Sequence, residues 1–378
     1  MNKIRFLQFG VPILISMVGL NCPAGSSPDI KIGFMVPQTG SESGEAKLLT
    51  NAFNLALRQI NDGGGINGKK LEVLVLDTKS TPQSAFQAYS KLVDEEKVTA
   101  VIAPSKSAEL VALIPKMKQA GVPTFIGGTN SRLTSETGWF FRTRPKVSIA
   151  VDAMVKFLKE DPKVKKIGII HDNGAFGMEG AGEFQRLALE SGLKVVKRVG
   201  FAFGEKNFGP ILKGFKDAGA DAMIVMVSNP DEAASIQLAH AEMGKPFLYL
   251  GSASSQSEVD LAKAKDAAEK AYAAVDFLFG QSPVDAKYSA DYKAQYHEDP
   301  DPTSTYAYDS VMLLADALRA VGEDPGKIRQ HILGVKNYRG VQGVFSFTPN
   351  GDGLHSVTII QIQHGQPKLF KVFSSNSQ

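Results

Sequence analysis

The sequence predicts an α/β fold of two doubly wound parallel-sheet lobes. Three observations carry this. Short apolar runs alternate with helical repeats from residue 30 onward, the alternation restarts after an aperiodic stretch at 138–147, and 378 residues with 43% hydrophobic content can fill two cores. Strand–helix alternation of this kind gives parallel strands covered by helices on both faces.

The first series runs strand 30–36, helix 45–60, strand 71–76, helix 82–94, strand 100–103, helix 108–120 and strand 123–126. The aperiodic stretch carries Trp139-Phe140-Phe141, which reads as core packing near the lobe junction, and Arg142, Arg144 and Lys146, which read as solvated hinge charges or as an anion site. The second series runs helix 148–159, strand 166–171, helix 177–191, strand 194–199, helix 208–218, strand 222–227, helix 232–243 and strand 247–251. Beyond 271 come a strand at 272–279, a helix at 306–321 and strands near Val344 and Val357, able to complete either lobe. In such sheets solutes bind beyond the carboxyl ends of strands, so the loops after Val36, Ile102, Ile126, His171, Val227 and Gly251 are the ones to inspect.

Between the first helix and second strand, Gly63, Gly68 and Lys69 match all but the last position of a phosphate loop, but that position is Lys70 where a magnesium-binding hydroxyl is required. The glycines also follow a helix rather than precede one, where the dipole repels an anion. They read as a helix C-cap and a tight turn.

Forty-two basic and 39 acidic residues leave a net charge of +3, too weak a field to indicate nucleic acid as a partner. Lys3 and Arg5 followed by an apolar run at 11–20 form an export signal over residues 1–24; ten apolar residues are too few to span a bilayer. The sole cysteine, Cys22, sits at the processing site, so no internal disulfide is possible. Two outcomes compete: soluble release by cleavage after Ala24, which we favour, and anchoring through acylated Cys22, for which Asn21 is a poor preceding residue.

No chemistry is signalled. The six histidines show no metal spacing, G-x-S-x-G is absent, and no G-x-G-x-x-G follows the first strand. His171-Asp172 reads as a polar strand end at the cleft rim, and Asp94, Glu95 and Glu96 as solvated helix-end charges. A binding protein without catalysis or cofactor is the expectation.

Eight segments in order, among them IKIGFMVPQTG with a following Gly44, LALRQINDGGGINGKKLEVLVLDT, AGVPTFIGGTNSRLT, IIHDNGAFG and YRGVQGVFSFTPNGD, resemble the type I periplasmic substrate-binding proteins of the leucine/isoleucine/valine-binding group. The resemblance implies the receptor of an ABC importer, a monomer with two lobes joined by a multi-strand hinge, which captures a small polar solute by lobe closure and delivers it to membrane permease subunits. It places lobe 1 at 29–145 plus about 278–345 and lobe 2 at 146–277 plus about 346–378. A sensory receptor of the same fold is the alternative.

The resemblance also implies the site. Ser105 and Ser107, at the start of a helix, with Gly128 and Thr129, match positions that receive an amino-acid head group. Phe176 stands where the family has tyrosine, Asn229 where an aromatic is common, and Ser43 where a tryptophan belongs. The acidic partner of the ligand ammonium falls at about Ala253, between Ser252 and Ser254. A buried ammonium without a carboxylate is costly. Either Glu42 supplies the charge from the other lobe, or the solute is an amide, a urea-like molecule or an organic acid.

Overall fold

The computed structural model of the chain describes residues 29–374; the export signal with Cys22 lies outside the described residues. Parallel strands β1 (Ile30–Val36), β2 (Leu71–Asp77), β3 (Ala100–Ile102), β4 (Thr124–Ile126) and β5 (Phe140–Arg142) form one sheet in the order β2-β1-β3-β4-β5. Helices α1 (Ser43–Asp62) and α2 (Pro82–Ser90) connect the first three strands, and α3 (Ser107–Ala120) and α4 (Arg132–Thr137) the next two. One face of the sheet packs on α1, the other on α2 and α3, because both faces of these short strands are apolar.

After α5 (Val147–Glu160) the pattern repeats. Strands β6 (Lys166–Asp172), β7 (Lys194–Phe201), β8 (Ala222–Met226), β9 (Leu248–Gly251) and β10 (Tyr272–Val275) alternate with α6 (Ala175–Glu190), α7 (Gly209–Asp217), α8 (Pro230–Glu242) and α9 (Glu258–Ala264). The chain then crosses back to supply α10 (Pro283–Tyr296), α11 (Tyr306–Val321), α12 (Pro325–Gly334) and the hairpin β11 (Tyr338–Arg339) and β12 (Val344–Phe345). α10 and α11 pack on α1, and α12 on α11. A third crossing leads to β13 (Ser356–Gln363) and β14 (Gln366–Ser374), antiparallel strands that finish the second sheet in the order β14-β13-β10-β9-β8-β6-β7.

The first five strands of each sheet share one order, so strand direction of travel reverses between β1 and β3 in the first and between β6 and β8 in the second. Loops beside these reversals are the natural ligand positions. The glycine turn is structural: Gly63 caps α1, and Gly64, Gly65, Asn67 and Gly68 all take positive φ before β2. At Gly65 a side chain is impossible, since its Cβ would lie 2.0 Å from the Lys69 carbonyl oxygen.

Three expectations need correction. The aperiodic stretch contains β5 and follows directly on α4, and Phe140 and Phe141 are fully buried core residues as read. Two of the three hinge charges are not solvated: Arg142 has no exposed surface and Arg144 is paired with Asp276, while Lys146 stays 37% exposed, 3.9 Å from Asp352. His171 is not at a rim. It is buried, with Nδ1 donating to the Asp172 carbonyl at 2.8 Å and Nε2 accepting from Arg198 at 3.2 Å, and its burial lowers its proton affinity, keeping it neutral.

Candidate functional site

The carboxyl ends of both sheets face one cavity of about 220 Å³. Every loop flagged by the strand-end rule reaches it: the loops after β1, β3 and β4 from one sheet, and those after β6, β8 and β9 from the other. Of the residues singled out in the sequence, Glu42, Ser105, Ser107, Thr129, Phe176, Asn229, Ser252, Ala253 and Ser254 line it. Ser43 and Gly128 do not. Ser43 faces solvent as the first residue of α1. Gly128 is packed so closely that a Cβ there would lie 2.4 Å from Leu110 Cδ1, and its carbonyl accepts from Arg142 Nη1 at 2.7 Å.

Ser107 opens α3. Its hydroxyl oxygen accepts the N–H groups of Thr129 and Asn130, both at 3.3 Å, which ties the loop after β4 to the helix start and leaves the hydroxyl proton free to point into the cavity. Leu110 makes the first intrahelical bond, to the Lys106 carbonyl, so the N–H groups of the preceding turn face the cavity end of the helix with its positive dipole. An anionic group fits there.

The opposite wall is apolar. Val147, Ala150, Met154, Met226 and Ala274 line it, with Phe176 and Phe203 beside them. Asn229 is turned to its own helix, its side-chain oxygen capping α8 through the Asp231 N–H at 2.8 Å. Ser252 donates to the Val227 carbonyl at 2.7 Å. The Asn229 oxygen and the Ser252 hydroxyl proton are thus committed to the protein's own backbone.

Besides Glu42 and Arg144, charges line the cavity that the sequence did not single out, among them Glu45, Lys106, Asp276 and Asp301. Lys106 is ion-paired with Glu42 and lies over the Phe203 ring, 5.3 Å from its centroid. Arg144 and Asp276 form a second pair. Glu45, in the first turn of α1, accepts from Ser105 Oγ at 3.3 Å, and Asp301 accepts from the Ser304 N–H at 2.9 Å. Burial, joined by the like charges of Glu42 and Asp301, pushes the Glu45 carboxyl up to about 7 against the pull of Arg144 and Lys106. Glu45 and Lys106 lay within segments already flagged, one beside Gly44 and one between Ser105 and Ser107. Asp276 and Asp301 carried no signal, because only the crossings bring them to the cavity.

Among the described residues no group of three or more acidic, histidine or cysteine side chains is arranged to hold a metal ion. Nor is any of their helices long and apolar enough to cross a membrane.

The sequence profile of the periplasmic binding proteins matches residues 29–367. The chain belongs to that family. This periplasmic binding protein is 26% identical over 330 residues to Leu/Ile/Val-binding protein homolog 1 of Brucella abortus, a match covering 86% of this chain and 87% of the relative. It is similar in structure to LivJ, the branched-chain amino acid transporter substrate-binding protein of Streptococcus pneumoniae in complex with isoleucine, with a TM-score of 0.84, 26% identity and coverage of 92% of this chain and 100% of that one. A solute-binding protein of an ABC transporter from Rhodopseudomonas palustris in complex with 3,4-dihydroxybenzoic acid superposes with a TM-score of 0.83 at 22% identity, covering 92% and 97%. This periplasmic binding protein is a solute-binding protein and not an enzyme.

Proposed function

We propose that this chain is the exported receptor of an ABC importer, which captures a small solute bearing a carboxylate and an apolar body and delivers it to permease subunits as a monomer. The observation that carries the reading is the open N-terminus of α3, with Ser107, facing an apolar wall across the cavity. A carboxylate placed at α3 leaves the rest of the solute to lie against Met154, Met226 and Phe176. The solutes of two similar proteins, isoleucine and 3,4-dihydroxybenzoic acid, share this combination of carboxylate and apolar body.

The lobes proposed to close on the solute are residues 29–145 with about 278–345, and 146–277 with about 346–378. Ser105, Ser107 and Thr129 belong to the first; Phe176, Asn229 and the segment of Ser252, Ala253 and Ser254 to the second. In our reading the mature protein works in the periplasm.

A thermal-shift screen with amino acids, their amides and aromatic acids tests the proposal, since a solute bound only by the native state raises the melting temperature. No shift with any of the three classes overturns it. Ser107→Ala is expected to weaken binding of the active solute by roughly 1–3 kcal/mol, because it removes a donor to the carboxylate and frees the Thr129 and Asn130 N–H groups together. Calorimetry showing unchanged affinity removes Ser107 from the site.

A further inference from the structure

The cations of the cavity are already engaged. Lys106 is held by Glu42, and Arg144 by Asp276, with a further bond from Arg144 Nη1 to the Gly127 carbonyl at 3.4 Å. Of the remaining carboxylates on the lining, Asp231 is exposed and paired with Lys263 at 3.1 Å, Glu258 stands exposed at the start of α9, and Asp301 is held by Thr303 and the Ser304 N–H. Glu45 keeps only the neutral hydroxyl of Ser105 as a fixed partner, and it lies on the cavity wall. Ser105 lies two residues before Ser107, so the carboxylate it touches is a neighbour of the proposed anion site at α3.

We infer that Glu45 receives the positively charged group of the solute, making this receptor selective for molecules that carry an ammonium beside their carboxylate over plain carboxylic acids. The inference rests on the reading of the α3 terminus as the carboxylate site, and it names the solute class within that reading. It also relocates the cation partner. On the far wall the Ser252 to Ser254 segment offers hydroxyls and a methyl group but no carboxylate. Of the carboxylates that the second sheet's loops bring to the lining, Asp231 and Glu258 are exposed and Asp276 is paired with Arg144. Both head groups of an amino-acid-like solute are therefore met by elements attached to the first sheet, with Met154, Met226 and Phe176 facing its apolar body.

The charges around Glu45 support this. Glu42 on its own loop, Asp301 beyond α10 and Glu109 in α3 oppose its ionisation; Lys106 after β3 and Arg144 at the first crossing favour it, and the Tyr306 hydroxyl, bonded to the Ala103 carbonyl, lies behind it. A solute anion without an ammonium would add to this excess of negative charge. An ammonium against Glu45 relieves it.

Titration calorimetry of the mature wild-type protein and of Glu45→Gln tests the inference, with the twenty common L-amino acids, their deaminated carboxylic acids and 4-hydroxybenzoate as probes. The wild type is expected to bind at least one amino acid and to bind its deaminated analogue about 30-fold more weakly or worse, and Glu45→Gln to abolish that preference. Glu45→Asp, which keeps the charge, should restore part of it, and equal melting temperatures of the variants separate loss of recognition from loss of fold. Amino-acid affinity should also fall about tenfold per pH unit below pH 7, with proton release seen as a buffer-dependent heat, because the bound ammonium requires the ionised carboxylate. Binding of plain carboxylic acids by the wild type, unchanged in Glu45→Gln, overturns the inference while leaving the receptor reading intact. Binding of no probe overturns both.

Discussion

Arg142→Ala is expected to lower the unfolding free energy by about 3–5 kcal/mol, the range for removing one partner of a buried ion pair. The Arg142 side chain is fully buried, and its guanidinium donates from Nε to Asp352 Oδ1 at 2.8 Å, from Nη1 to the Gly128 carbonyl at 2.7 Å, and from Nη2 to the Asn130 carbonyl at 2.9 Å and Thr134 Oγ1 at 3.1 Å. Alanine leaves the Asp352 carboxylate nearly enclosed without its close cation and the Gly128 carbonyl without its donor, while the Asn130 carbonyl keeps only the Leu133 N–H at 3.3 Å. It also leaves a hole the size of the side chain. Lysine keeps the charge but not the planar fork, so Arg142→Lys should recover only part of the loss.

The same variant reports on function. Arg142 ends β5 at the first crossing, Asp352 lies in the third, and the two carbonyls flank Thr129, whose N–H bonds Ser107. Loosening that loop should weaken solute binding in the same variant that weakens the fold. Denaturant unfolding of Arg142→Ala, Asp352→Asn and the double variant separates the pair's coupling from the remainder. A loss below about 1 kcal/mol in Arg142→Ala would show that the network is solvated and does not tie the crossings together.

This network also shows where the sequence stops being legible. Strand–helix alternation was readable because a strand buried on both faces is a continuous apolar run, as in Ile167 to Ile170, and a helix buried on one face repeats every three to four residues. α10 escaped that rule. Its buried face is made of Tyr288 and Tyr292 with Tyr296 following, an aromatic stripe at i, i+4 and i+8 with little aliphatic content. The Ser282 to Asp285 capping box was the available signal. α12 is buried through only Ile328 and Ile332, too few positions to establish a period.

For the site, strand ends told which loops would meet, since topology fixes that. Which charges pair there is a different kind of fact. Arg142 and Asp352 are 210 residues apart, Arg144 and Asp276 are 132 apart, and nothing local marks either as a partner. The hinge charges read as solvated for that reason. Their partners arrive on the second and third crossings.

Asp172 carries the second large effect, and the informative variant is the isosteric one. At the end of β6 its carboxylate is fully buried and accepts only: Oδ1 from the Gly174 N–H at 2.8 Å, and Oδ2 from both the N–H and the hydroxyl of Ser228, at 2.7 and 3.0 Å. These bonds join the loops after β6 and β8, which bring Phe176 and Asn229 to the cavity. Asp172→Asn preserves volume, but an amide has one acceptor oxygen and one NH2 group, so either orientation turns a donor against an N–H donor. The expected loss is about 2–4 kcal/mol, close to that of Asp172→Ala, since buried donors left unmet are the larger share in both. Rearrangement is blocked nearby: a Cβ at Gly177 would lie 2.4 Å from the Asp172 carbonyl oxygen, which shows how tightly α6 closes over this strand end. Urea unfolding gives the comparison, and solute affinity should drop in both variants because two walls of the cavity lose their common anchor. A stable Asp172→Asn protein with full affinity would mean that the loops are positioned by packing alone, and the carboxylate would have no part in shaping the site.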